Sequence, residues 1–146
     1  MSANGIQKGI FNMGNFKDAK AAREFFKDDL YAMNSGIFIE EIGEGFSKCS
    51  MKITPNHLNA VGGVMGGAIF TLADLALSAA ANNTHMPTVA QQVSCNFLST
   101  AKGDTLIATA VCKKDGRSSC VYNIDVVDNT GRDIAQFVGT GFKLIK

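Results

Sequence analysis

The chain has few charged residues and no run of basic ones. Asp, Glu, Lys and Arg make up 18% of its 146 residues, whereas globular domains typically contain about 25%. With a net charge of +1 and no basic patch, the sequence gives no sign of nucleic acid or an anionic membrane as a partner. The shortage of charge favours a protein that hides part of its surface in an oligomer.

We expect neither a targeting signal nor a membrane span from this sequence. Residues 1–16 contain no continuous apolar stretch, so they do not form a secretory signal. We expect them to form a flexible arm ahead of a single domain, residues 17–146. The long apolar segment of residues 66–83 is too short to cross a bilayer and contains a carboxylate. The expected location is therefore the cytoplasm.

The cysteines lack the spacing of a metal site or a disulfide framework. The chain has four of them without a C-x-x-C pair, and its two histidines lie far from any group of thiols. We therefore expect free, buried thiols in a reducing compartment and no bound metal. Asp115-Gly116 predicts a two-residue hairpin turn. That turn would place Cys112 opposite Ser119, and Cys120 on the other face of the sheet.

Apolar periodicity predicts helices and strands along the rest of the chain. Residues 17–32 carry an apolar stripe at helical spacing and predict an amphipathic helix. Alternating apolar residues and turn signals predict six strands, at residues 37–42, 46–54, 88–98, 105–113, 118–127 and 132–144. Short strands linked by turns form antiparallel sheets. We therefore predict one α+β domain in which the sheet curls around a buried helix over residues 66–83.

The central helix contains a narrow line of polar side chains. Asp74 is the only formally charged residue between Ile53 and Ala101, and a lone carboxylate in a buried helix is costly unless something pairs with it or uses it. Spacings of three, four and four residues place four polar side chains on one face: Thr71, Asp74, Ser78 and Asn82. Two interpretations remain open. The line is either a hydrated oligomer interface or the position of a reactive carboxylate.

A glycine pair opens the same helix. Gly66 and Gly67 leave backbone N–H groups and the positive end of the helix dipole facing outwards, which suits an oxygen that gains negative charge in a reaction. Asp74 lies eight residues after Gly66, which is about 12 Å along the helix axis. It cannot reach an oxygen bound at its own helix start. If these groups form an active site, two subunits must share it across a two-fold axis.

The residues from His57 to Asp74 resemble a known signature. They read HLNAVGGVMGGAIFTLAD, which is similar to the H-x-N-x-x-G-x-x-H-G-G-x-x-x-x-L-x-D pattern of hotdog-fold acyl-CoA thioesterases of the phenylacetic acid degradation (PaaI-like) type. The resemblance covers roughly residues 20–145 and includes the order of the elements. It implies a hotdog fold, in which an antiparallel sheet wraps around a long central helix, with an extra N-terminal helix.

The same resemblance implies roles for residues of the motif. Gly66 would offer its N–H to the thioester carbonyl, Asp74 of the partner subunit would act as general base or nucleophile, and Asn59 would orient water or the carbonyl. The implied reaction hydrolyses an acyl- or arylacyl-CoA to a free acid and CoA, and it needs no cofactor. Four further residues are expected to contact the substrate: His57, Met65, Gly67 and Ala90.

The predicted hairpin turn carries residues that suit the phosphates of CoA. The family binds the CoA nucleotide along the outer strands and their turns, and Lys113, Lys114, Arg117 and Ser118 surround this turn. A solvated turn explains the same cluster equally well. Both interpretations therefore remain open for these residues.

One residue departs from the family pattern. Met65 stands where the family has histidine, and a thioether neither donates a strong hydrogen bond nor transfers a proton. This leaves a second hypothesis, a non-catalytic acyl-CoA-binding or structural hotdog protein. A dehydratase is disfavoured, because that chemistry pairs a catalytic histidine with a carboxylate. The resemblance also implies a homo-oligomer, either a dimer or a dimer of dimers.

Overall fold

The computed structural model describes residues 14–145. Within this range, α-helices occupy Ala19–Phe26 (α1), Leu30–Asn34 (α2) and Gly66–Thr84 (α3). The strands are Ile37–Gly43 (β1), Phe46–Lys52 (β2), Thr88–Phe97 (β3), Thr105–Asp115 (β4), Ser119–Asp128 (β5) and Asp133–Lys143 (β6). The central helix and the six predicted strands are confirmed, with boundaries within two residues of the predicted ones.

The strands form one antiparallel sheet whose edges are β1 and β3. Their order is β1-β2-β4-β5-β6-β3, so β3 pairs with the last strand of the chain rather than with its neighbour in sequence. The α3 helix packs against the sheet and contacts all six strands. This is the predicted α+β arrangement, a sheet wrapped around one central helix with further helices at the N-terminal side.

Small side chains let α3 pack closely against the sheet. The helix residues with at most 2% exposure include Leu72, Leu75, Ala76, Ala79 and Ala80. They share one core with inner-facing strand residues such as Met51, Ala108, Tyr122 and Ile124. Burying each leucine contributes about 1.5–3 kcal/mol to stability.

Although α3 is largely apolar, none of the helices within residues 14–145 combines the length and the hydropathy that a membrane span requires.

The predicted helix over residues 17–32 is wrong in its length, because the chain forms two helices there. Asp18 caps α1 by accepting a backbone hydrogen bond of 2.8 Å, and α1 ends at the buried Phe26. Asp28 and Asp29 follow. Aspartate is a poor helix former and is unfavourable near a helix C-terminus. Asp29 instead becomes the N-cap residue of α2.

Asn15 and Phe16, predicted to belong to a flexible arm, are part of the folded domain. Phe16 is 3% exposed, and its ring lies 5.7 Å from that of Phe26. The backbone N–H of Asn15 donates to the carbonyl of Asn83, and the N–H of Phe16 donates to its side-chain Oδ1, both at 2.8 Å. The predicted boundary between the arm and the domain is therefore wrong, because the folded domain already includes these two residues. The rest of the predicted arm, residues 1–13, lies outside the described residues.

The hairpin between β4 and β5 also differs from the prediction. Cys112 pairs with Tyr122 rather than with Ser119, and Asp115 pairs with Cys120 instead of forming the turn. An irregularity directly after Cys112 shifts the register by one residue. Because side chains two residues apart share a sheet face, Cys112 and Cys120 lie on the same inner face. All four cysteines are free, as predicted, but only two of them are buried.

Asp128, at the end of β5, holds two loops together. Its Oδ1 accepts hydrogen bonds from the hydroxyl and N–H of Thr130, at 2.6 and 2.9 Å, and from the N–H of Arg132 at 3.1 Å. Its Oδ2 accepts from the N–H groups of Lys102 and Gly103, at 2.7 and 2.9 Å. The Thr130 hydroxyl, together with these N–H groups, holds the pKa of the Asp128 carboxyl well below its ordinary value.

We predict that Asp128 stabilises the fold at neutral pH and loses this effect in acid. A carboxylate with a depressed folded-state pKa contributes stability above its unfolded pKa of about 3.9, and the contribution disappears as the pH falls further. Asp128→Asn turns an amide NH₂ towards backbone donors, so its melting temperature should lie below that of the wild type at pH 7. Melting curves should show the gap closing progressively below pH 4. Asp125→Asn, at an exposed position on the same strand, is the control, and a pH-independent gap would contradict the prediction.

Candidate active site

Asp74 lies midway along α3, on the side of the helix that the sheet leaves uncovered. Its neighbours Ala73 and Leu75 are buried, whereas Asp74 is exposed in the single chain. Asp74 is therefore not enclosed in the core of a single chain. Surrounding protein atoms still raise the pKa of the Asp74 carboxyl by desolvation, and the negative charge of Asp29 at the start of α2 raises it further. Within residues 14–145, Asp74 has no ion-pair partner.

The polar line on α3 is partly structural. The Asn82 amide donates to the carbonyls of Ser78 and Thr88, at 2.8 and 3.1 Å, and its Oδ1 accepts the N–H of Thr88 at 2.9 Å. Asn82 thus ties the end of α3 to the start of β3. The hydroxyl of Thr71 donates to the carbonyl of Gly67 at 2.8 Å. Asp74 is consequently the member of the line whose side chain has no such internal role.

A cavity of about 190 Å³ lies beside Asp74, and we call it the carboxylate cavity. Its walls come from α3, from the first residues of β3 and from β6: Asp74, Leu77, Ser78, Ala81, Thr88, Val89, Ala90 and Gly141. The structure therefore places Ala90 and Asp74 on the walls of the same cavity.

The first turn of α3 presents two free backbone donors. The N–H groups of Ala68 and Ile69 both donate to the carbonyl of Met65, at 3.0 and 3.3 Å. Those of Gly66 and Gly67 find no acceptor within residues 14–145. Met65 occupies the N-cap position without a side-chain capping bond, and its thioether chain is 54% exposed. The helix dipole and these two N–H groups together favour a negatively charged oxygen at this point.

His57 fixes the loop that leads into α3. Its Nδ1 accepts the N–H of Thr54 at 3.0 Å, and its Nε2 donates to the carbonyl of Ser35 at 2.7 Å. Its own carbonyl accepts the N–H of Met65 at 2.7 Å. Both ring nitrogens are thus used inside the chain, contrary to the expected contact with substrate. His57 instead holds the helix start in place.

Asn59 closes a tight turn in the same loop. Its Oδ1 accepts the N–H groups of Val61 and Gly63, each at 3.0 Å, and its backbone exchanges hydrogen bonds with Gly62 and Gly63. The Nδ2 amide group makes no hydrogen bond to the described part of the chain. Asn59 therefore keeps one side-chain donor available next to the start of α3.

A second cavity, of about 440 Å³, lies beside Gly66, and we call it the donor cavity. Its lining comes from the loop, the start of α3, the end of β3 with the segment that follows it, and the start of β6: Asn59, Val61, Gly63, Val64, Gly66, Ile69, Phe97, Leu98, Ser99, Thr100, Ala101 and Ile134. The two cavities share no residue. One chain therefore has two separate half-sites at the two ends of the segment from Gly66 to Asp74.

The residues predicted to bind phosphates lie on the β4–β5 turn. Lys113, Arg117 and Ser118 are exposed there, and Lys143 reaches across from β6 to pair with Asp115 at 2.5 Å. Strand pairing places Ala90, Gly141, Cys120 and Asp115 in one row across four strands. Three strand spacings of about 4.8 Å separate the two ends of the row by about 14 Å. The turn is therefore on the same end of the sheet as the carboxylate cavity.

The described residues give no sign of a metal centre. Within residues 14–145, no three His, Cys, Asp or Glu side chains are grouped so that they could hold a metal ion. The chemistry that the half-sites can supply is that of a carboxylate, backbone N–H donors and one amide.

Comparison with known proteins decides the family. Residues 61–135 match the family model described as the thioesterase superfamily, which is just over half of the chain and runs from the loop before α3 to the start of β6. The chain belongs to the thioesterase superfamily. This thioesterase has the hotdog architecture predicted from its sequence. Its family also confirms the predicted class of enzyme, a thioester hydrolase.

Individual relatives of the thioesterase agree. It is 33% identical over 124 residues to the acyl-coenzyme A thioesterase PaaI of Escherichia coli K12, covering 84% of this chain and 89% of that protein. The solved structure of the E. coli PaaI protein matches with a TM-score of 0.81 and 31% identity, covering 85% and 91% of the two chains. A hypothetical thioesterase of Streptococcus pneumoniae, solved with coenzyme A, matches with a TM-score of 0.73 and 28% identity over 80% and 94%. The resemblance to the PaaI-like type is therefore confirmed.

Sequence reasoning missed two residues of this thioesterase, one in the lining of a cavity and one whose charge affects Asp74. Phe97 lines the donor cavity, although its only signal was its position at the end of an alternating strand. Asp29 acts on Asp74 through its charge, and no local pattern links the two. Its place depends on the break between α1 and α2, which the sequence did not predict.

We predict that Asn59→Asp separates the two roles of Asn59 in the thioesterase. The aspartate keeps both acceptor contacts in the loop but removes the free Nδ2 donor. Its melting temperature should stay near that of the wild type, while thioester hydrolysis falls at least tenfold, because losing one donor to a developing oxyanion costs about 10²–10³ in rate. Asn59→Ala should lose both stability and activity. Full activity in Asn59→Asp would exclude the donor role.

Proposed function

We propose that this thioesterase hydrolyses acyl-CoA thioesters to a free acid and CoA in a site shared by two copies of the chain. The observation that carries the proposal is the separation of the half-sites. Free N–H donors lie in the donor cavity and the carboxylate lies in the carboxylate cavity, about 12 Å apart on one rigid helix. A thioester carbonyl is too small to contact both in one chain.

The edge strand β3 explains how two copies complete the site. Most of its residues are exposed, and the strand has a partner on one side only. Ala90 of the carboxylate cavity is near its start, and Phe97 of the donor cavity is its last residue. The β3 strand of a second copy could pair antiparallel with this one about a two-fold axis near the middle of the strand. This pairing would place Ala90 opposite Phe97 of the partner subunit. The donor cavity of one copy would then join the carboxylate cavity of the other.

The joined site supplies both requirements of thioester hydrolysis. The carbonyl oxygen accepts the N–H of Gly66, with the Asn59 amide beside it, so the developing negative charge is stabilised at the helix start. Asp74 of the partner subunit either removes a proton from water, whose oxygen adds to the carbonyl carbon, or adds directly to form an anhydride that water then opens. In both cases the C–S bond breaks and the CoA thiolate leaves with its sulfur, to be protonated by solvent.

Coenzyme A as the leaving group is supported by the relatives and by charge. One similar protein carries acyl-coenzyme A thioesterase in its name, and another was solved with coenzyme A. The β4–β5 turn of this chain holds Lys113, Lys114 and Arg117 without ion-pair partners in the described range. It is about 14 Å from Ala90, and the pantetheine arm of CoA similarly separates the thioester from its phosphates.

We predict that Asp74→Asn abolishes hydrolysis without unfolding the protein. CoA-thiol release should be measured with short, medium, long and phenylacetyl- or benzoyl-type CoA thioesters. Removing the base should lower kcat by about 10²–10⁴, while melting temperature and dimer mass remain those of the wild type. Asp133→Asn, an exposed carboxylate at the start of β6, is the matched control. Acyl-CoA binding without turnover in the wild type would favour the non-catalytic alternative that Met65 suggests.

We also predict that Asp29 shifts the pH profile. Asp74 must be ionised to act, so kcat/KM falls as the pH drops through its raised pKa. Asp29→Asn removes the charge that helps to raise this pKa, so the acid limb of the profile should move to lower pH. Asp28→Asn removes the adjacent charge in the sequence and is the control. An acid limb that stays in place in Asp29→Asn would contradict the assignment of this limb to Asp74.

A further inference from the structure

An aromatic ring from β3 contacts the first residue of α3. A Cβ atom built on Gly66 would lie 3.1 Å from Cζ and 3.4 Å from Cε2 of Phe97, whereas carbon atoms pack best at about 3.5–4.0 Å. Gly66 is not among the glycines with positive φ. A side chain at position 66 would therefore require the Phe97 ring to shift by a few tenths of an ångström, whereas the backbone conformation of Gly66 does not demand glycine.

The second glycine of the pair is different. A Cβ atom on Gly67 would meet only the flexible side chain of Met65, whose Cγ is 3.9 Å away. Gly66 and Gly67 both present free N–H groups, yet only at Gly66 would an added Cβ atom come close to an aromatic ring. The chain therefore offers a matched pair of adjacent positions that differ in this one contact.

Phe97 packs against one further ring, which packs in turn against a second. It meets the buried Phe137 of β6 at 6.4 Å with an interplanar angle of 86°, and Phe137 meets Phe70 at 5.5 Å and 80°. Phe70 is one helical turn after Gly66. These edge-to-face contacts connect the end of β3, the sheet and the first turns of α3. The remaining side of the Phe97 ring is open to the donor cavity, since this residue is 57% exposed in the single chain.

We propose that Phe97 is a positioning residue for the Gly66 N–H donor. The inference rests on the proposed function, because the donor matters only if a thioester oxygen binds to it. The ring fixes the first turn of α3 and keeps water from one side of the donor. A donor that is held in a dry, rigid place stabilises a developing charge better than a mobile, hydrated one. Displacing such a group by about 1 Å costs about 10²-fold in rate.

The test is a pair of double-mutant cycles on kcat, measured with the acyl-CoA that the wild type hydrolyses fastest. Phe97→Ala should lower kcat by about 10- to 100-fold with a smaller change in KM. Gly66→Ala should also lower kcat, because its methyl group pushes against the ring. In the Phe97→Ala background, the same Gly66→Ala change should cost less than about twofold. Gly67→Ala should cost the same factor in both backgrounds.

Phe97→Leu and melting curves are the controls that distinguish a local effect of the ring from a general loss of structure. Leucine keeps apolar bulk without the ring tip, so its kcat should lie between those of the wild type and Phe97→Ala. Independent, multiplicative costs at positions 66 and 97 would overturn the inference, and so would a loss confined to KM, which would make Phe97 an acyl contact. Absence of hydrolysis by the wild type would instead overturn the proposed function and this inference together, so the two failures are distinguishable.

Discussion

The packing of α3 against the sheet is the constraint on which the rest of the molecule depends. A single sheet covers only one side of a helix, and the alanines and leucines on that side of α3 are buried against the sheet. The opposite side keeps Asp74 and is left without a cover in one chain. The exposed edge strand β3 lies next to this side and has one free row of backbone groups. A second copy that pairs with β3 would cover both features at once.

The same helix explains why the N–H donors and the carboxylate lie apart in one chain. Its first turn presents N–H donors that nothing in the described chain satisfies, and its middle carries the carboxylate. Because both groups belong to one helix, their relative positions are fixed. They therefore remain about 12 Å apart. The loop held by His57 and Asn59 sets where the helix begins. In the proposed dimer, an antiparallel partner supplies the half-site that each chain lacks at its own donor or carboxylate.

Most of the fold could be predicted from local patterns, because alternation and apolar periodicity report directly which side chains are buried. The motif likewise located Gly66, Asp74 and Asn59, which line the two cavities. Some of the failures involve contacts between distant parts of the chain, whereas others, such as the break between α1 and α2, are local irregularities. The ring of His57 is engaged by a carbonyl 22 residues away, and the register of the β4–β5 hairpin depends on one irregular residue. Phe97 reaches Gly66 only because β3 crosses over to pair with β6.

The scarcity of charge in the chain fits this division of the site. An ionised carboxylate in an apolar interior is costly, and Asp74 avoids that cost in the single chain by remaining exposed. In the proposed dimer, apolar residues on and near β3, such as Val89 and Phe97, which are about half exposed in one chain, would become buried. Their burial would offset the desolvation of Asp74 at the moment the site is completed. The pKa of Asp74 is already raised in the single chain, and further desolvation would raise it more. In the proposed dimer, the pKa of Asp74 would be raised fully only where the donor of the other copy is also in place, which would couple assembly to reactivity through one residue.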